Sequence, residues 1–320
     1  MATSASNDQL KSSHLFDVSN FSALITGGGS GIGLMITETL AANGAKVYIT
    51  GRRKEALETV VKEYNTGPGK IIALPGDVSK KDEVARLVKE IESQEPNGIH
   101  LLVNNAGIAR DDNTKYSNSK PDFKSAQSIS EHLMKSDPQA WAETFSTNVT
   151  SQFFVSAAFL PLVSNVDAQY YPLQVIPISP GARVLAKSLA STPGSSPSII
   201  NITSISGVMK GSSAGQFAYA SSKAAFLHLT RMMATTFAET HVRVNSIAPG
   251  LFPSEMTVGG SDERQKSELK SKASNPSGRY GREQDMGACV LLLAGPGGGF
   301  LNGQVIYPEG GNLLVQPACV

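Results

Sequence analysis

An apolar run at 21–26, FSALIT, stops at the cluster GGGSGIG, and apolar positions then recur at helical spacing through LMITETLAANG until Gly44. The pattern predicts a strand, a glycine turn and a helix. A second β-rich run, AKVYIT at 45–50, precedes a segment in which Ala56, Leu57, Val60, Val61 and Tyr64 share one helical face before a Gly-Pro-Gly stop. The unit then repeats: KIIALPGDV at 70–78 reads as a third strand, 79–98 as a Ser-capped amphipathic helix, and IHLLVNNAG at 99–107 as a fourth strand ending in a tight turn. Strands alternating with helices predict an α/β fold, a parallel sheet covered on both faces.

The alternation pauses at 110–137, a polar stretch with one short helical possibility near 127–135, which reads as an enlarged surface loop. Residues 138–163 predict one long buried helix. A second insertion, 164–197, contains five prolines. The core resumes with a strand in SIINITSISG (198–207), a long helix over 216–241, a strand in VRVNSIAPG (242–250), a helix at 282–295 and a last strand in GQVIYPEGG. Between them, 251–280 is polar and is expected to form a small substrate lid, with Phe252, Met256 and Val258 either lining a pocket or anchoring the lid. The first 19 residues read as a polar N-terminal extension and 20–320 as one domain, because no linker forces a division.

Composition narrows the partners. With 40% hydrophobic and 17% charged residues among 320, the chain can bury a sizeable core. Lys plus Arg number 28 against 27 for Asp plus Glu, and this balance removes the electrostatic footprint of a nucleic-acid binder. A small-molecule partner is expected. Cys289 and Cys319 cannot build a disulfide framework or a Cys-x-x-Cys metal site, which fits a reducing compartment. No apolar run reaches the length of a membrane span and no secretory signal pattern opens the chain, so the expected location is cytoplasmic.

In T26-G27-G28-G29-S30-G31-I32-G33, glycines 27, 31 and 33 keep a G-x-x-x-G-x-G spacing where a strand hands over to a helix. Thr26, Gly27, Gly29, Ser30, Gly31, Ile32 and Gly33 are therefore candidates to cradle a diphosphate, whose charge the free amides of the helix start would favour. No Gly-Lys-Ser/Thr follows, which disfavours a Walker phosphate loop. At the end of the second strand, where a carboxylate would select a free ribose 2′-hydroxyl, stand Gly51, Arg52 and Arg53. Their guanidinium groups suit a 2′-phosphate, so NADP(H) is expected over NAD(H), unless the arginines are solvated surface charges. Asp77 and Val78 are candidates to hold an adenine, Asp77 being equally a turn former or cap. Asn104, Ala106 and Gly107 close the fourth strand beside the same crevice, either as cofactor contacts or as a turn.

The reaction signal is Y219-A220-S221-S222-K223. On a helix, positions i and i+4 share a face, so Lys223 can favour the Tyr219 phenolate and assist proton exchange near neutral pH. Ser204, at the end of the fifth strand, is placed to orient a carbonyl oxygen.

With these motifs in view, the chain resembles the short-chain dehydrogenase/reductase family, through TGGGSGIG, NNAG, Ser204, YASSK and NSIAPG in that order across roughly residues 20–312. The resemblance implies a doubly wound Rossmann sheet, NAD(P)(H) binding and a homodimer or homotetramer. It also implies roles: Tyr219 as general acid or base, Lys223 holding the nicotinamide ribose, Ser204 binding the substrate oxygen, Asn148 bending a helix and holding a water of the proton relay, and Pro249 and Gly250 near the nicotinamide. Members often place about 13 residues between serine and tyrosine, a separation that Ser206 rather than Ser204 satisfies. Ser204 is preferred for its place at the strand end, with Ser206 as second choice. The expected reaction is NADPH-dependent reduction of a ketone on a small or acyl-type substrate. Alternatives are alcohol oxidation with NADP or NAD, a biosynthetic tailoring step on an unusual ketone or imine, reduction of a carrier-bound 3-oxoacyl chain, and a catalytically silent nucleotide-binding scaffold. A carrier-protein partner finds no basic docking surface in the sequence.

Overall fold

The computed structural model describes residues 7–163 and 196–316. The insertion expected at 164–197 and Cys319 therefore lie almost wholly, and entirely, outside the described residues. Seven strands form one parallel sheet: β1 (Ser22–Thr26), β2 (Lys46–Thr50), β3 (Lys70–Ala73), β4 (Leu101–Asn104), β5 (Ser198–Ile202), β6 (Arg243–Ile247) and β7 (Val305–Ile306). Their order is β3-β2-β1-β4-β5-β6-β7, so the chain runs outward in one direction from β1 and in the other from β4. The two halves part between β1 and β4, and the crevice that opens there, at the carboxyl ends of the strands, is where such sheets bind ligands.

Alternation along each strand divides the core. Ala23 and Ile25 of β1, Val47 and Ile49 of β2, and Leu101 and Val103 of β4 face α2 (Gly31–Ala42) and α10 (Glu283–Ala294). Leu24, Tyr48 and Leu102 face the other way, onto α4 (Lys81–Gln94), α7 (Ser151–Val163) and α8 (Phe217–Phe237). Strands buried on both faces account for the continuous apolar runs that the sequence shows. Helix α3 (Lys54–Tyr64) completes the first cover by burying Leu57 and Val60.

Three expectations are corrected by tertiary contacts. The helix predicted over 138–163 is broken into α6 (Pro138–Phe145), a π-helical turn at Ser146–Thr150 and α7. The cause is Asn148, whose side chain accepts from the Ile108 amide and donates to the Ile108 carbonyl, both at 2.8 Å, pulling the helix toward the strand end. The amino-terminal segment is not merely polar lead-in: α1 (Ser12–Leu15) lies beside the turn at Pro296–Gly298, and Val18 is fully buried. The third and fourth strands are shorter than their apolar runs, because 76–78 and 105–107 leave the sheet to line the crevice.

The polar insertion at 110–137 folds around α5 (Ala126–Leu133), capped by Ser125, whose side chain accepts from the Ser128 amide. The segment at 251–280 carries one short helix, α9 (Glu255–Val258), and is fastened to the body by Lys266, which pairs with Glu38 of α2 and Glu283 of α10, and by the Tyr64 hydroxyl, which donates to the Arg264 carbonyl at 2.7 Å.

Candidate active site

The crevice has a volume of about 520 Å³ and gathers side chains from every strand end between β3 and β6. At its floor, β1 and β4 are stitched together. Thr26 Oγ1 accepts from the amides of Asn105 and Ala106 at 3.0 Å, while Asn105 Nδ2 donates to the carbonyls of Thr26 at 2.9 Å and Gly27 at 3.1 Å. Thr26 is thus fully buried and shapes the loop from beneath. Gly33 permits the return of the chain into α2, since a Cβ there would stand 2.1 Å from the Gly27 carbonyl oxygen. Gly27, Gly29, Ser30, Gly31, Ile32 and Gly33 line the crevice, and the unpaired amides of the first turn of α2 belong to this wall. A glycine-rich loop against a helix N-terminus fits a dinucleotide diphosphate.

At the β2 end, Gly51, Arg52 and Arg53 also line the crevice. The two arginines differ. Arg53 forms a bidentate pair with Glu255 of α9, at 2.8 and 2.7 Å, and reaches Ser30 Oγ at 3.3 Å. Burial pushes the Glu255 carboxyl up, but the Arg53 hydrogen bond and charge outweigh it and hold the group ionised. Arg52 is exposed and makes no hydrogen bond or ion pair among the described residues; its charge lies near Asp77. Asp77 accepts from the Ser79 amide at 3.1 Å and hydroxyl at 2.7 Å, so it does form a turn while lining the crevice beside Val78.

The NNAG segment divides differently from expectation. Asn104, expected at the cofactor, is fully buried and points through the sheet, donating to Ser156 Oγ and Asn201 Oδ1 at 2.8 Å. It does not line the crevice. Its neighbour Asn105 does, with Ala106 and Gly107, because successive side chains of a strand face opposite sides.

At the other end stand Ser204, Tyr219 and Lys223. Lys223 is almost completely buried; its Nζ donates to the Ile202 carbonyl at 2.9 Å, and desolvation lowers its pKa to about 8. Burial pushes the Tyr219 phenol up, opposed by a hydrogen bond with Ser204. Ser206, by contrast, turns its hydroxyl onto Ser213 Oγ at 2.8 Å and its amide onto Ser204 Oγ at 3.1 Å, and it does not line the crevice. Asn148 lies behind this group, donating to Ser222 Oγ at 3.0 Å. Pro249 and Gly250 close the wall at the β6 end. Of the lid residues, Met256 and the buried Phe252 line the crevice, whereas Val258 is exposed outside it. Sequence reading missed Ile108, Thr147, Thr203 and Glu255, which line the crevice from loops and helix turns that carry no motif. Among the described residues no cluster of His, Cys, Asp or Glu is arranged to hold a metal, and no helix is long and apolar enough to cross a membrane.

Comparison with known proteins agrees with this architecture. Residues 22–169 match the short chain dehydrogenase family, and residues 179–312 match the family described as Enoyl-(Acyl carrier protein) reductase. The chain is 39% identical over 318 residues to the short-chain dehydrogenase/reductase PhomF of Diaporthe leptostromiformis, covering 99% of each chain. It is 32% identical over 298 residues to the rhamnolipids biosynthesis 3-oxoacyl-[acyl-carrier-protein] reductase of Pseudomonas aeruginosa, covering 92% of this chain and 97% of the other. Among solved structures, the Pseudomonas aeruginosa RhlG/NADP active-site complex superposes with a TM-score of 0.70 at 29% identity, covering 93% of this chain and 98% of that one.

Proposed function

Since the chain belongs to the short-chain dehydrogenase/reductase family, an oxidoreductase family, we propose that it is an NADPH-dependent reductase of a ketone carbonyl on a small or acyl-type substrate. The observation that carries this reading is the convergence of Ser204, Tyr219 and Lys223 at one end of a crevice whose other end offers glycine-loop amides and the unpaired Arg52. The cofactor, when bound, supplies the hydride. The remaining work belongs to the protein. Ser204 and Tyr219 hydrogen-bond the carbonyl oxygen and stabilise the charge that develops on it, and the Tyr219 hydroxyl delivers the proton. A raised phenol pKa keeps Tyr219 protonated before the reaction. The Lys223 cation then stabilises the phenolate left behind, from the same helix face one turn on. Asn148, held by Ile108 and Ser222, fixes the helix bend beside this group, where a proton relay to solvent would begin.

Arg52 would take the 2′-phosphate of NADP(H), since among the described residues it is the crevice arginine that no carboxylate holds in an ion pair. Gly31, Ile32 and the α2 amides would hold the diphosphate, Asp77 and Val78 the adenine, and Pro249 and Gly250 the nicotinamide side. The segment at 251–280 would serve as a lid over the crevice. Exposed Phe153 on α7 and Met232 on α8 support a homodimer or homotetramer built on those helices, which sedimentation would test. The test of function is NADPH consumption across 3-oxoacyl thioesters, diketones, aryl ketones, steroids and sugars. Tyr219→Phe is expected to lower turnover by roughly 10²- to 10⁴-fold with NADPH affinity within about twofold. An unchanged rate in that variant would sink the proton-donor role.

A further inference from the structure

We infer that Asp111, in the polar insertion at 110–137, is a positioning residue for Tyr219, so that this loop sets the reactive geometry from outside the crevice. The inference rests on the proton-donor reading of Tyr219.

Helix α8, which carries Tyr219 and Lys223, begins at Phe217, and its cap residue Gln216 makes no side-chain hydrogen bond to the first turn. Its leading amides need acceptors. Asp111 supplies them from 108 residues away: one carboxylate oxygen accepts from the Tyr219 amide at 3.0 Å and the other from the Ala218 amide at 2.8 Å. The carboxylate is 5% exposed, and a charged acceptor at the positive end of a 21-residue helix gives shorter, stronger bonds than a neutral cap. Both bonds end on the backbone of the reactive tyrosine or its neighbour. They therefore define where the Tyr219 Cα sits relative to Ser204.

The same insertion grips the chain just before the helix. Ser213, Ala214 and Gly215 have φ values of 50°, 57° and 87°, a left-handed stretch unfavourable for the first two residues. Tyr116 donates its amide to the Ala214 carbonyl at 2.8 Å, and Thr114 Oγ1 donates to the Gly215 carbonyl at 2.8 Å. A Cβ on Gly215 would stand 2.1 Å from the Thr114 carbonyl oxygen, so the two segments are in backbone contact. That carbonyl is also paired with His132 of α5 at 3.0 Å. Strained backbone persists where surrounding contacts over-determine it. Here the strain sits between Ser206, whose hydroxyl holds Ser213, and the reactive tyrosine.

A phenol displaced by a fraction of an ångström from the carbonyl oxygen loses proton transfer while the cofactor loop, built on β1 and α2, stays intact. Asp111→Ala is expected to lower kcat about 10- to 100-fold, with the NADPH dissociation constant within about twofold. Asp111→Asn keeps one acceptor oxygen but turns a carboxamide NH2 donor toward the second backbone amide, and should fall between the unaltered enzyme and Asp111→Ala. The decisive measurement is a double-mutant cycle with Tyr219→Phe. If Asp111 acts through Tyr219, Asp111→Ala costs nothing further in the Tyr219→Phe background. An equal proportional loss in both backgrounds, or weakened NADPH binding in both aspartate variants, overturns the inference in favour of a general structural role. Near wild-type turnover of Asp111→Ala, in an enzyme that requires Tyr219, overturns it alone. An unchanged rate in Tyr219→Phe fells the proton-donor reading as well, and the two failures are told apart by that single variant.

Discussion

The two ends of the crevice are built on opposite physical terms. At the reaction end, Lys223, Ser204 and Asn148 are buried; bonds from distant segments hold the lysine (Ile202) and the asparagine (Ile108), the Ser206 amide donates to Ser204, and Asp111 lies beneath the tyrosine. At the adenosine end, Arg52 is solvated and Arg53 shares its charge with Glu255 on a short surface helix. Buried polar groups that lose a partner pay their full desolvation cost, so the first end tolerates little change. Exposed ion pairs are weak and screened, so the second can exchange partners when a phosphate arrives. Chemistry is thus placed rigidly and cofactor choice is left adjustable.

Three measurements press on that contrast. The largest effect is expected in the first turn of α2, where it meets the glycine loop: Gly33→Val puts side-chain atoms into the Gly27 carbonyl, and dinucleotide affinity should fall by roughly 100-fold, read by fluorescence titration. Retained affinity would show that the loop can open without penalty. Next is the pH profile of kcat/KM for NADPH, which reports groups of the free enzyme. Lys223 titrates at about 8, its cation being the useful form, so the value should be level at neutral pH and fall as pH rises through 8, approaching tenfold per unit. A profile flat to pH 10 would remove the lysine charge from the mechanism. The smallest effect belongs to the exposed end. Arg52→Ala should weaken NADPH about fivefold, or about 1 kcal/mol, with NADH unaffected and the difference shrinking at high salt. Glu255→Gln should tighten NADPH by less than about threefold by releasing Arg53. Equal NADPH and NADH affinities in the unaltered enzyme would break the arginine argument.

The local signals that could be read from the sequence were those that depend on nearest neighbours. The glycine spacing between β1 and α2 follows from a carbonyl 2.1 Å from where a Cβ would be. The Tyr219–Lys223 pairing follows from helix periodicity. What depends on register or distant partners was less legible. Asn104 and Asn105 are adjacent and identical in type, yet opposite in direction. The strand-end position already favoured Ser204 over Ser206, but it did not show why the usual separation fails, which is that the left-handed turn at 213–215 takes up chain length before Tyr219. The bend at Asn148 was implied by the family resemblance and not by the apolar helical pattern of 138–163, because its cause is a backbone 40 residues away.

Alternating apolar runs and helical faces, read from the sequence alone, determined the parallel α/β sheet, since burial on both faces requires that pattern whatever the loops do. The motifs at the strand ends likewise pointed to the short-chain dehydrogenase/reductase family. Tertiary structure alone decided which arginine remains unpaired, and that an insertion with no motif of its own supplies the acceptors for the first turn of α8. Each of those outcomes rests on a hydrogen bond or ion pair between residues far apart in the chain, and no local pattern records the partner.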